Sequence, residues 1–193
     1  MYHINIPSSS LSLFSLPSFF TLDSANVAKL ALTIPIRYGS VRRQFSPHPS
    51  SPETLLLDYA SYQYRLMPLL ALTFAMHFGG VETTSLYTGY MEQMESGHVD
   101  TSDTANMTMI IDQLKALHAT AAGLKAYCTW HCLDLIEQCR QALGGHGYSS
   151  YAGLAALYQD FAVQCSWEGD NTIMMQQCGR YLVNCYREAR GGG

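Results

Sequence analysis

The sequence predicts an all-α protein, an antiparallel helical bundle of four or five helices. Three observations carry that reading. Apolar residues recur three and four apart over several long stretches, the spacing that gathers them on one face of a helix. Strand-like alternation is scarce, and no internal repeat is visible. Glycine, proline and serine punctuate the periodic stretches, most densely at 46–52 and 144–147.

The elements follow in chain order. Residues 1–24 are Ser-rich and apolar, contain Pro7 and Pro17, and read as a loose, disordered tail. No basic region precedes their apolar part, so they do not read as a secretory signal. Asp23 or Ser24 caps a first helix with Val27, Leu30, Ala31, Ile34 and Tyr38 on its apolar side; Pro35 inside it predicts a kink or local break. Ser46 to Pro52 is a loop. Glu53 opens a second helix that runs to about Gly79, kinked at Pro68. Gly79-Gly80 stops it, Glu82 to Gly97 forms a further helix, and His98 to Ser102 is a polar break. A third long helix runs from about Ser102 to Leu143, with Leu117, Ala121, Leu124, Cys128, Cys132 and Leu135 on its apolar side. Gly144-Gly145-His146-Gly147-Tyr148 ends it. A short turn or helix covers Gly153 to Phe161, and a last helix runs from near Asp170 to about Arg187. Residues 191–193 form a flexible end with no readable targeting address.

The composition narrows the class. At 193 residues and 21.4 kDa the chain suffices for one domain. Hydrophobic residues are 48% and charged residues 13%, which excludes a disordered chain. The net charge of −4 and a single short basic cluster, Arg37 to Arg43, argue against a nucleic-acid partner. No consecutive apolar run approaches the ~20 residues of a membrane span. Cys128, Cys132 and Cys139 fall on one helical stripe and read as reduced core thiols. Their spacing matches no zinc motif, so no metal site is expected.

Three polar features fall at helix ends: Arg42-Arg43-Gln44-Phe45, the 144–148 glycine loop, and Trp167-Glu168-Gly169-Asp170-Asn171-Thr172. Each has a plain structural reading, as a cationic helix end, a C-cap turn and an N-cap turn. Together they suggest an anion site with one working carboxylate. Consecutive glycines expose amides to an anion, and arginines supply bidentate phosphate contacts. Glu168 stands between an aromatic residue and a glycine, where desolvation would favour a general base.

The same residues carry a family resemblance. Arg37 to Phe45, Leu57-Asp58-Tyr59, Gln63 to Ala71, His118 to Ala126, Cys139-Arg140 with the glycine loop, and Glu168 to Thr172 resemble, in order, motifs of the acyl-CoA oxidases. The likeness covers about Ala25 to Arg187, while residues 1–24 do not match what the family places there. Pro35, Ser46 and Leu143 depart from the family's usual residues. The resemblance implies the helical domain 25–190, homologous in fold to the first C-terminal α domain of acyl-CoA oxidases and dehydrogenases. It implies FAD as cofactor, fatty acyl-CoA and O2 as reactants, trans-2-enoyl-CoA and hydrogen peroxide as products, a homodimer, and a peroxisomal location. Glu168 matches the catalytic base; Arg42, Gln44, Gln141, Gly144, Gly145, Asp170, Asn171 and Thr172 match cofactor-side positions; Gly169 matches a substrate-side position. The family's middle β domain has no counterpart here, so the chain is expected to be inactive alone. An acyl-CoA dehydrogenase-type fragment and a non-catalytic dimerising helical module are the alternatives, and His146 with Asp170-Asn171 favours the oxidase.

Overall fold

The computed structural model describes residues 8–96 and 103–191, with side chains from Phe19 onward. The polar break at 98–102 and the extreme ends of the chain lie outside those residues. The architecture is helical throughout: α1 (Ser8–Val41), α2 (Ala60–Glu95), α3 (Thr104–Ala142), α4 (Leu154–Ala162) and α5 (Asn171–Ala189), joined in part by single-turn 3₁₀ segments. Helix α3 is central and packs against each of the other four; α1 and α2 pack on each other as well.

The core is a seam of small residues. Ala25, Ala28 and Ala31 of α1 face Cys128, Cys132 and Cys139 of α3, all at or near full burial. Short side chains let the two backbones approach closely, and the Cys132 thiol donates to the Ser24 carbonyl at 3.2 Å. Leu66 of α2, Leu135 of α3 and Leu154 of α4 complete the cluster at 0% exposure, each contributing ~1.5–3 kcal/mol by burial. The thiols are free, as expected. Burial pushes Cys128 and Cys139 up to about 12 and Cys132 higher still, so none forms thiolate at ordinary pH. Alkylation of the native chain at mildly alkaline pH should therefore leave these three unmodified, while denaturation opens all six cysteines. Peptide mass mapping checks this, and rapid native labelling of Cys132 would show the seam to be open.

Three sequence expectations are corrected. The first helix does not begin at Asp23: α1 reaches back to Ser8. Part of the expected tail is core, with Phe20 at 2% exposure and Thr21 and Ser24 buried. Ser24 does not cap the helix; its hydroxyl donates back to the Phe20 carbonyl at 2.6 Å, the mid-helix use of a serine. Second, Pro35 does not break α1, which is helical from Ser8 to Val41; Pro68 lies inside α2, where the sequence placed it. Burial of the flanking faces against α3 outweighs the ~3 kcal/mol a mid-helix proline costs, and the Tyr62 hydroxyl donates to the Pro35 carbonyl at 2.8 Å. Third, Gly79-Gly80 does not divide two helices, because α2 is continuous to Glu95. Gly80 serves helix crossing instead: a Cβ there would lie 2.8 Å from Leu22 of α1.

Helix α2 also qualifies the membrane expectation. Alone among the described helices, it is long and apolar enough to cross a bilayer by length and composition. Here it packs as a bundle helix, with Tyr64, Phe74, Phe78 and Leu86 exposed on its outer face.

Candidate functional site

The first part of the site begins where α1 ends. The chain turns at Phe45, which takes a left-handed φ of 60°, and comes back antiparallel to itself. Gln44 N donates to Thr54 O at 2.9 Å, Thr54 N to Phe45 O at 2.8 Å, and Leu56 N to Arg42 O at 2.9 Å. The Tyr59 hydroxyl donates to the Gln44 carbonyl at 2.8 Å. This small ribbon fixes the backbone of two side chains that then hold each other, Arg42 Nη2 donating to Gln44 Oε1 at 2.9 Å.

The facing wall is the end of α3 and the glycine loop. Glu137 accepts from Arg140 at 2.6 and 2.7 Å and from Gln141 Nε2 at 2.8 Å, the i,i+3 and i,i+4 partners of one helix face. The Arg140 hydrogen bonds, with that from Gln141, hold Glu137 down at about 2. Its contribution to stability is therefore complete above the ordinary carboxylate range and is lost as pH falls from there toward about 2; at a surface pair this effect is small. Gly144 and Gly145 are exposed, and an added Cβ at either would project into open space. The Tyr38 ring meets His146 edge-on at 5.7 Å. Between the walls lies a cleft of about 970 Å³ whose lining includes Tyr38, Arg42, Gln44, Gln141, Gly144 and Gly145.

The second part is the turn before α5. Glu168 takes φ 53° and Gly169 φ 122°. The first is uncommon for a residue with a side chain and the second is open only to glycine. Asp170 caps α5, its side chain accepting from Thr172 N at 2.9 Å. Glu168 is exposed, and the Trp167 ring packs on Phe20, ring centroids 5.8 Å apart. The Trp167 indole donates to Gln164, and Gln164 donates to the Asp23 carboxylate at 3.2 Å. Burial raises the pKa of Asp23. Glu168 borders a hollow of about 480 Å³ between α3 and α5, shared with His118, Gln177 and Arg180.

The structure thus brings five expected residues, Arg42, Gln44, Gln141, Gly144 and Gly145, into one cleft and places Glu168 on a separate hollow. Asp170 and Thr172 are exposed at the start of α5, and Gly169 is half-buried beside them. Asn171, expected among the cofactor-side residues, is 1% exposed. Its side chain is occupied internally: Nδ2 donates to Thr129 Oγ1 at 2.9 Å and Oδ1 accepts from Lys125 at 2.8 Å. Sequence reasoning passed over Lys125, Thr129 and Phe20. The available signal for Lys125 was its place on the apolar stripe of α3, three residues before Cys128, where a lysine needs a partner.

Comparison with known proteins follows the same geometry. The family model described as the acyl-CoA oxidase C-alpha1 domain matches residues 13–183, so the likeness begins inside the stretch expected to be an unmatched tail. Acyl-coenzyme A oxidase 2 of Yarrowia lipolytica is 43% identical over 170 residues, which is 88% of this chain and 24% of the relative. Peroxisomal acyl-coenzyme A oxidase 1 of Rattus norvegicus is 40% identical over 175 residues, 91% of this chain and 25% of the relative. Acyl-CoA oxidase-1 of Caenorhabditis elegans, solved in complex with FAD and ATP, superposes with a TM-score of 0.80 at 32% identity, covering 93% of this chain and 25% of the other. The chain spans about a quarter of the length of the curated relatives it matches.

Proposed function

Because the chain belongs to the acyl-CoA oxidase family, corresponding to its helical C-alpha1 domain, we propose that it supplies the base and part of the cofactor cleft for FAD-dependent oxidation of a fatty acyl-CoA to a trans-2-enoyl-CoA. The observation that carries this reading is the convergence of Arg42, Gln44, Gln141, Gly144 and Gly145 on one cleft. These residues fit the phosphate-bearing part of FAD. A guanidinium fixed by Gln44 offers charge-assisted bonds to phosphate oxygens. Two glycines with open space at their Cβ positions let a ligand reach the backbone. The chemistry supplied by FAD when bound is acceptance of the β-hydrogen as hydride and return of the electrons to O2, with hydrogen peroxide as product.

The chain's own part is proton chemistry and positioning. Glu168 takes the α-proton of the acyl-CoA on its carboxylate, which its exposure leaves open to a substrate. The strained turn aims that carboxylate, and the Asp170 cap fixes where α5 begins. The cleft and the Glu168 hollow share no lining residue. That separation supports a homodimer in which each copy completes the other's site. A peroxisomal setting is supported by the rat relative's name.

The test is a chimera carrying residues 8–190 in place of the matching domain of a full-length family member. Losing a charge-assisted bond costs ~1.5–3 kcal/mol, so Arg42→Ala should weaken FAD retention by ~10–100-fold. Added FAD should restore most of the rate. Dialysis followed by flavin absorbance reads the effect, and FAD retention equal to that of the unmutated chimera would remove Arg42 from the cofactor cleft.

A further inference from the structure

Lys125 is the most deeply buried cation in the described structure, 1% exposed, halfway along α3. Its ammonium donates to the Gly169 carbonyl at 2.7 Å and to Asn171 Oδ1 at 2.8 Å. Both acceptors are uncharged. The Phe20 ring covers the same nitrogen, centroid 5.9 Å away. Asn171 in turn donates to Thr129, one turn along α3, whose hydroxyl donates to the Lys125 carbonyl at 2.8 Å. A cation withdrawn from water without a bonded carboxylate is costly, and burial lowers the pKa of Lys125. An apolar residue would fill the space more cheaply. The bonds show what the cost secures: the ammonium grips the carbonyl of the one residue at φ 122°, directly after Glu168. Glu168 itself stands at φ 53°, and a residue with a side chain persists there only where its surroundings over-determine it.

We propose that Lys125 is a positioning residue for Glu168: through Gly169 O and Asn171 it clamps the left-handed turn that sets where the carboxylate points. The proposal rests on Glu168 being the base and predicts a loss of turnover without loss of cofactor. The clamp itself is tested in the 193-residue chain. Lys125→Met should raise amide exchange across 167–172 by ~10-fold or more, as local opening becomes easier, while exchange in α2 stays unchanged. In the chimera, Lys125→Met should lower kcat ~10–100-fold, as expected for a misplaced reacting group, with KM within about 2-fold of the unmutated value and flavin content unchanged. Should Lys125→Met not fold, Thr129→Val cuts the network at its far end, and a smaller kcat loss of ~3–10-fold is expected on the same ground.

Glu168→Gln is run beside it. If Glu168→Gln is inactive but the Lys125 or Thr129 variant turns over at full rate with unchanged exchange, the clamp is overturned and the base stands. If Glu168→Gln remains active, the base reading fails, and with it the positioning role.

Discussion

Replacing Glu168 by Gln in the chimera is expected to stop substrate oxidation while leaving the fold and the bound cofactor in place. Glutamine keeps the length, shape and hydrogen-bonding reach of the side chain and loses only the ability to take a proton. Removing a general base typically costs ~10²–10⁴-fold in rate. The measurement is the loss of flavin absorbance on anaerobic mixing with a fatty acyl-CoA, which is blind to the later reaction with oxygen. Two structural facts make the outcome clean. Glu168 is exposed, so the change buries no unsatisfied amide. The turn is held by its neighbours: Lys125 holds Gly169 and Asn171, and Asp170 holds Thr172. Bleaching at the unmutated rate would return the 168–171 segment to a simple turn before a helix.

The largest stability effect is expected at Gly147. A Cβ there would lie 1.9 Å from the Arg140 carbonyl oxygen and 2.9 Å from its carbon. Those are backbone atoms in the last turns of α3, held by the helix itself, and they cannot yield as a flexible side chain could. Gly147→Ala must therefore push the glycine loop off the helix end, at a cost of ~2–4 kcal/mol by analogy with overpacked cores. For a chain of this size that is a fall in Tm of roughly 5–15 °C. Gly145→Ala is the control, since its Cβ would meet nothing within 4 Å. It should melt within about 2 °C of the unmutated chain and act on cofactor affinity instead. Equal melting of both variants would mean that the loop is not seated on Arg140.

Much of this was legible in the sequence where local rules and tertiary packing agree. Helix α3 was expected from about Ser102 to Leu143 and runs Thr104–Ala142; Asp103 caps it and the glycine loop stops it, both signals carried by single residues. The Arg42, Gln44, Gln141, Gly144 and Gly145 group was legible mainly through the family resemblance; the residues alone pointed only to an anion site, from arginines and consecutive glycines after two helices. What failed depended on partners distant in sequence. A proline or a glycine pair reads as a break until the helix it packs against is known; Pro35 meets Tyr62 and Gly80 meets Leu22. Phe20 looks like part of a loose tail because its contacts, Lys125 and Trp167, lie more than a hundred residues away. Asn171 was placed correctly in the motif but its role could not be read, because an asparagine facing a cofactor and one facing a buried lysine look alike in one dimension.

The Trp167–Phe20 and Gln164–Asp23 contacts join α1 to the segment just before α5, the latter pair 141 residues apart. Closing so long a loop is entropically expensive, and local helical contacts form long before it. The turn bearing Glu168 is thus assembled last. Helices α1, α2 and α3 pack on one another through contacts that do not involve α5, whereas the turn at 168–170 is held by Lys125 of α3 and Asn171 of α5 together. A chain clipped before α5 would lose the Asn171 side chain that Lys125 holds and the Thr172 amide that Asp170 caps, and with them the contacts that define the 168–170 turn.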